Sequence, residues 1–426
     1  MNRRQSLRLL STATVTALAG CAGGTPNDGS NGDASTAGNE SKKRVSGGWP
    51  MADFDPSHSG YAPDERGPAS SPAPLWRTGT GSNRRLTESG LSGAPAIRDG
   101  TLYLGAASGD VIAADATTGE VVWQNGTNFY IESSVAIGDE QLFVGAGDNH
   151  VHAFDLENGD RNWKRNLGSS VDSSVIYTDD LVLCKPVFGS LTAVESGTGE
   201  PVWEYGGGSG YTPSVRDGAV YVPTSTTDCG IWSDCTTTGG VDVLDVERGE
   251  KTDHCELGEG VRPMSTPTLD DQQLYLAAEG GRVFAVSLES LEVVWEGEMA
   301  TEIDAVPTVS DVLVTGDTDG TVYAFDTADG TELYRFEAGS SVTGTCVASE
   351  TLYVGAARGS DGVVHALDPA SGEKRWSHEL QTAVTTSPVV VDGALCIGDK
   401  DGSLRVLVAE SELESYAPAG NATASE

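Results

Sequence analysis

The chain has 426 residues, of which 63 are Asp or Glu and 26 are Lys or Arg, giving a formal charge of −37. Phosphate backbones and anionic bilayer surfaces would be repelled, which excludes nucleic-acid binding and charge-driven membrane binding. Apolar residues make up 38 % and recur in short runs along the chain, so the acidic excess coats a folded surface rather than marking disorder.

The chain opens with Arg3-Arg4-Gln5-Ser6-Leu7, continues through the weakly apolar stretch Leu9 to Ala19, and reaches Leu18-Ala19-Gly20-Cys21. That stretch is too short to span a bilayer and reads as an export signal over residues 1–21. The arginine pair resembles a twin-arginine signal, and the final run resembles a lipoprotein cleavage box. The resemblance implies lipid on Cys21 and a location on the outer face of the cytoplasmic membrane. Residues 22–46 are rich in Gly, Ser, Asn, Asp and Thr and are expected to form a flexible tether. Residues 47–74, with Trp49-Pro50-Met51-Ala52-Asp53-Phe54 and His58-Ser59-Gly60-Tyr61, are expected to form an arm packed across one face.

From Ala94 onward one pattern recurs: a short strand ending in Gly, a strand ending in an acidic residue, a Gly turn and an aromatic residue. The acidic slot falls at Asp115, Asp155, Glu195, Asp245, Ser287, Asp326 and Asp368, spaced by about forty residues, as four-stranded propeller blades require. Eight residues after each slot stand Trp123, Trp163, Trp203, Asp253, Trp295, Tyr334 and Trp376. The run Ala113-Ala114-Asp115-Ala116-Thr117-Thr118-Gly119-Glu120-Val121-Val122-Trp123 resembles the docking motif A-x-D-x-x-T-G-x-x-x-W of the pyrroloquinoline-quinone (PQQ) repeat family. The resemblance covers roughly residues 47–408 and implies an all-β fold, an eight-bladed propeller of four-stranded antiparallel blades over residues 75–408.

The motif also makes physical sense by itself. Gly at 119, 159, 199, 249, 330 and 372 supplies the positive φ that a turn between third and fourth strands demands. The acidic side chain accepts turn N–H groups that would otherwise lack partners. The indole presents a large apolar face to the next blade, with one N–H to satisfy.

Blade eight, from Thr386, contains no Trp, whereas Leu75-Trp76-Arg77-Thr78 is a Trp strand without the three strands that should precede it. The early strand is therefore expected to complete the last blade and shut the ring, removing open sheet edges. An alternative places Leu413 to Tyr416 in that position. Residues 409–426 otherwise read as a loose acidic tail.

Glu132, Asp172 and Asp304 lie at or near the starts of innermost strands, around the channel mouth. They are candidates for holding a cation such as Ca²⁺ or a basic group, against the alternative of solvated rim carboxylates. His150 and His152 share one strand face without further metal ligands, which favours a structural role. Blade four carries extra residues near Thr224 to Gly240 and has Asp253 at the Trp position. Its Cys229 and Cys235 can close a small disulfide loop, with Cys255 as an alternative partner, and Trp232 is a candidate anchor for a bound partner. Cys184, Cys346 and Cys396 read as small buried hydrophobes. Asn39, Asn125 and Asn421 head glycosylation sequons.

Family resemblance also brings in PQQ and Ca²⁺, because the propeller dehydrogenases of this type use both. This sequence lacks the adjacent Cys-Cys pair that commonly lies over the quinone, and it has no C-x-x-C-H haem run. The expected function is a lipid-anchored binding or scaffolding module, monomeric, capturing an extracytoplasmic protein or small ligand. A PQQ-dependent dehydrogenase and a ligand sensor are the alternatives. The chain also resembles the propeller lipoproteins that assist outer-membrane protein assembly. Its acidic surface, however, resembles that of haloarchaeal proteins, whose hosts have no such membrane; an ordinary acidic secreted protein is the other reading.

Overall fold

A computed structural model describes residues 42–78, 91, 93–208, 210–229 and 235–416. Among these residues the strands form eight sheets, each built on a four-stranded antiparallel meander. Blade one comprises Ala96–Arg98, Thr101–Gly105, Asp110–Asp115 and Val121–Gly126, from the innermost strand outward. The chain is an eight-bladed β-propeller.

Each strand's pattern follows from its place in the ring. Middle strands are covered on both faces by neighbouring blades, so they read as continuous apolar runs such as Val111-Ile112-Ala113-Ala114, all buried. Outer strands alternate, with Val121 and Val122 exposed and Trp123 turned inward. Opposite each inward aromatic stands a small residue: Ala113 faces Trp123, Ala153 faces Trp163 and Ala193 faces Trp203, and the register shifts by one residue immediately afterwards. That bulge brings the aromatic side chain to the blade surface.

In blade four, Ala219–Cys229 and Cys235–Asp245 extend the usual second and third strands into a long hairpin, closed near its tip by the Cys229–Cys235 disulfide. Cys255 is buried and unbridged. In blade eight, Val389–Val391, Ala394–Gly398 and Leu404–Ala409 are joined by Pro72–Arg77, which pairs antiparallel with Leu404–Ala409 as the outermost strand. Leu413–Ser415 is not a strand. It belongs to a 3₁₀ turn, Glu410–Ser415, that brings Tyr416 into a buried position with its hydroxyl on the Asp392 carbonyl. The segment after 409 is thus packed as far as Tyr416, because one buried aromatic ring outweighs the acidic character that made the stretch look loose.

The arm also begins earlier than its composition indicates. Val45 is buried and its N–H donates to Thr117 Oγ1 at 2.8 Å, while Arg44 pairs with Asp115. The arm then visits the inner strands in ring order. Gly48–Trp49 pairs with Ala96–Arg98 of blade one, and the Pro50 carbonyl accepts Ile137 N–H of blade two at 2.8 Å. Met51 packs among residues of blades two to four. The carbonyls of Pro56, Ser57 and Ser59 accept Val215, Leu269 and Val309 of blades four to six at 2.7, 3.0 and 2.8 Å. Tyr61–Ala62 pairs parallel with Ser341–Ala348 of blade seven, and the Arg66 carbonyl accepts Gly393 N–H of blade eight at 2.6 Å.

Candidate functional site

Every blade is an antiparallel meander, so its turns alternate between two faces. Turns joining first to second and third to fourth strands lie on one face; second-to-third turns and links between blades lie on the other. The arm and the C-terminal 3₁₀ turn lie on the first face, as shown by the contacts of Val45 with the third-to-fourth turn of blade one and of Tyr416 with the first-to-second turn of blade eight. Among the described residues, neither the arm nor the C-terminal 3₁₀ turn reaches the second face.

The aromatic residues expected to dock blades all reach the next blade's third-to-fourth turn or its equivalent. Trp123, Trp163, Trp203 and Trp295 donate their indole N–H to the carbonyls of Leu156, Ser196, Val246 and Thr327 at 2.8–2.9 Å. Trp76 donates to Ala116 at 2.9 Å, the Tyr334 hydroxyl to Pro369 at 2.9 Å, and Trp376 to Pro68 at 3.0 Å. An aspartate in the slot braces the turn: Asp155 Oδ1 accepts both Glu157 and Asn158 N–H at 3.0 Å, and Asp115, Asp245 and Asp368 do the same in their blades. The turn glycine is needed for two reasons. Gly159 has φ 74°, and a Cβ there would sit 2.5 Å from the Trp123 ring.

Blade five breaks both halves of the rule at one interface. Leu291 holds the glycine position with φ 55°, and no indole crosses it because blade four carries Asp253 at the aromatic position. Leu288 and Leu291 instead pack against Tyr221, Val243, Leu274 and Val286. A side chain replaces the ring that would have excluded it, which is the signal that a search for Trp alone misses.

On the second face Glu132 is exposed, and Asp172 is half-buried and accepts the Ser170 hydroxyl. The side chain of Asp304 lies outside the described residues, as do Cys21, Asn39, Trp232 and Asn421. Among the described residues no three His, Cys, Asp or Glu side chains converge to hold a metal ion. No carboxylate set that would hold Ca²⁺ is therefore assembled among the described residues.

His150 and His152 are structural. His152 is buried, with Nε2 3.1 Å from Asp148 Oδ1, and burial pushes its pKa below the ordinary histidine value. Asp317 with Tyr323 and Asp399 with Arg405 repeat the arrangement in blades six and eight. Asn125 spends its side-chain amide on the Gly159 carbonyl at 2.8 Å. Cys184, Cys346 and Cys396 are buried and free, and burial raises the thiol of Cys396 to about 12.

Two features escaped sequence reasoning. Asp242 of blade four accepts Lys251 Nζ at 2.6 Å and pairs with His254 Nδ1 at 2.7 Å, and the Tyr205 hydroxyl of blade three also donates to it. Burial opposes this carboxylate, but its three partners hold its pKa below the usual range. Second, Lys185 is buried without a carboxylate. Its ammonium donates to the carbonyls of Gly189 at 2.8 Å and Pro186 at 3.5 Å, and burial lowers its pKa. It supports the turn that carries Val187 and Phe188.

A ring of eight PQQ-type blades with one face strapped defines a class of propeller proteins. The sequence pattern of the family described as outer membrane protein assembly factor BamB matches residues 69–238 and 216–419, and the chain belongs to that family. Among solved structures, BamB from Moraxella catarrhalis superposes with a TM-score of 0.62 at 20 % identity, covering 80 % of this chain and 98 % of that one. Quinohemoprotein alcohol dehydrogenase from Comamonas testosteroni gives 0.67 at 14 % identity, covering 87 % and 81 %. A europium-containing methanol dehydrogenase gives 0.68 at 12 % identity, covering 85 % and 98 %. At these identities the likeness establishes the fold alone. No functionally curated protein matches the sequence.

Proposed function

We propose that the chain is an extracytoplasmic lipoprotein, held to the outer face of the cytoplasmic membrane through Cys21, whose propeller binds or scaffolds a partner protein without turnover. The observation that carries this reading is the asymmetry of the two faces. The strap occupies the inner-strand edge on one side, while the other, among the described residues, presents pinned loops with exposed aromatic side chains. Loops positioned by a rigid scaffold are where recognition resides. Family membership supports the same use, since the family's description is that of an assembly factor.

Affinity capture of the full-length protein from its own membranes in high salt tests the reading, with a stoichiometric partner protein as the expected result. Addition of PQQ with Ca²⁺, followed by a bound-quinone spectrum and dye reduction with alcohols or sugars, would overturn it. Cys21→Ser is expected to release the protein from the membrane fraction. Replacement of Arg3 and Arg4 by Lys is expected to retain it in the cytoplasm.

A further inference from the structure

On the second face, two loops from adjacent blades present apolar side chains to solvent. Phe129 lies in the link from blade one to blade two and is 49 % exposed; Val187 and Phe188 lie in the second-to-third turn of blade three and are 41 % and 79 % exposed. The two loops form one strip. The Phe129 and Tyr130 rings are 5.0 Å apart, the Tyr130 hydroxyl is 3.3 Å from Ser170 Oγ, and the Ser170 carbonyl accepts Val187 N–H at 2.9 Å. Phe188 N–H donates to Ser169 Oγ at 3.3 Å.

Neither loop depends on a partner for its shape. Thr127, buried, donates its hydroxyl to the Phe129 carbonyl at 2.7 Å, and Gly109 backs directly onto the Phe129 main chain. Beneath the other loop, the buried Lys185 ammonium holds the Gly189 carbonyl. Exposed aromatic side chains on preorganised loops lose little freedom when covered, which is the energetic profile of an interface anchor. Carboxylates border the strip. Glu132 is exposed two residues beyond Tyr130, Asp172 accepts the same Ser170 hydroxyl, and Asp148 follows Gly147, against which the Tyr130 and Phe129 rings pack. Lys185, beneath the strip, is buried and engaged with carbonyls.

We propose that the Phe129–Tyr130–Val187–Phe188 strip is the docking site for an extended segment of a partner protein carrying apolar side chains flanked by Lys or Arg. The apolar side chains cover the strip, and the cations meet Glu132, Asp148 and Asp172. This assignment rests on the binding-module reading and locates that module's contact. Charge complementarity to an acidic rim selects the basic segment over an acidic one.

The test uses the purified full chain and three fluorescein-labelled peptides: Leu alternating with Lys, Leu alternating with Glu, and Ser alternating with Lys. In about 1 M KCl, where the Debye length is ~3 Å, the Leu/Lys peptide is expected to bind and the Ser/Lys peptide to fail, whereas in about 0.1 M KCl, where it is ~10 Å, the Leu/Lys peptide is expected to bind more tightly than the Leu/Glu peptide. The double variant Phe129→Ser with Phe188→Ser is expected to weaken Leu/Lys binding by about tenfold or more. Val122→Ser with Val294→Ser removes comparable exposed apolar surface from outer strands and should leave binding unchanged. Glu132→Lys should weaken binding in about 0.1 M KCl, where the Debye length is ~10 Å. An unchanged thermal midpoint in each variant shows that the ring is intact.

Equal binding of the Leu/Glu peptide in about 0.1 M KCl overturns the proposal, as does unchanged affinity in the double variant. So does a Phe188-dependent dimer in sedimentation, or Phe188-dependent pelleting with phosphatidylcholine vesicles. Parallel capture from membranes separates the two readings. If wild type and double variant retain the same partner equally, the strip is wrong and the module stands; bound quinone with dye reduction removes the module itself.

Discussion

Replacing Trp76 tests how the last blade is held to the first. Its indole is 3 % exposed, against 7–8 % for Trp123, Trp203, Trp295 and Trp376, and its N–H is bonded to the buried Ala116 of blade one. Trp76→Phe keeps most of the ring packing but leaves the Ala116 carbonyl without that donor, a loss of about 1 kcal/mol or more. Trp76→Ala removes the ring as well and is expected to cost about 3–5 kcal/mol. Over a ring of roughly 340 residues, at ~2.1 cal/mol/K each, 4 kcal/mol corresponds to a fall of about 5–6 °C in Tm. Differential scanning calorimetry in high salt measures the series, with Val122→Ala on an exposed outer strand as reference. If Trp76→Ala lowers Tm no more than Val122→Ala, the joint between blades eight and one does not depend on this ring.

Gly159→Ala places a Cβ against the Trp123 ring at φ 74° and should lower Tm clearly more than Gly218→Ala, where φ is 79° but no atom lies within 4 Å. That difference isolates the indole contact from backbone strain of about 1–2 kcal/mol. Burial depresses the pKa values of His152, His365 and His378 below 6.5, so the unfolded chain binds more protons than the folded one as pH falls. The associated stability is fully present above about pH 6.5 and is lost as pH drops through the folded values. Tm should therefore decline from pH 7 to 5 in high salt, and less steeply in His152→Phe. With a charge of −37, Tm should also rise between about 0.1 M and 2 M KCl as screening shortens from ~10 Å to below ~3 Å; a flat response would show that self-repulsion is not limiting.

The propeller was legible because each docking requirement is local. An acidic turn brace, a glycine and an aromatic residue fall at fixed offsets, as in Asp155, Gly159 and Trp163. The interface between blades four and five was only half legible: Asp253 announced a missing ring, but nothing in the sequence showed Leu291 taking the vacated space. The strap was legible as an arm but not as a circuit, because Pro56, Ser57, Ser59 and Gly60 act through backbone carbonyls, which any residue possesses. The strip on the second face was hidden differently. Phe129 and Phe188 look like ordinary apolar residues until the fold turns them outward, and Lys185 looks like a surface cation until its ammonium is found beneath a loop.

Pairing of Pro72–Arg77 with Leu404–Ala409 also has a consequence for biosynthesis. One partner is made long before the other, with seven blades between them, so blade eight cannot be completed until Leu404–Ala409 has left the ribosome. Until then the Val406-Leu407-Val408 edge has no outer neighbour to cover it, and an uncovered apolar edge is a template for joining another chain. The slow event in maturation should be the meeting of these two distant strands, and conditions that delay it should divert the newly made protein into aggregates rather than into a shorter ring.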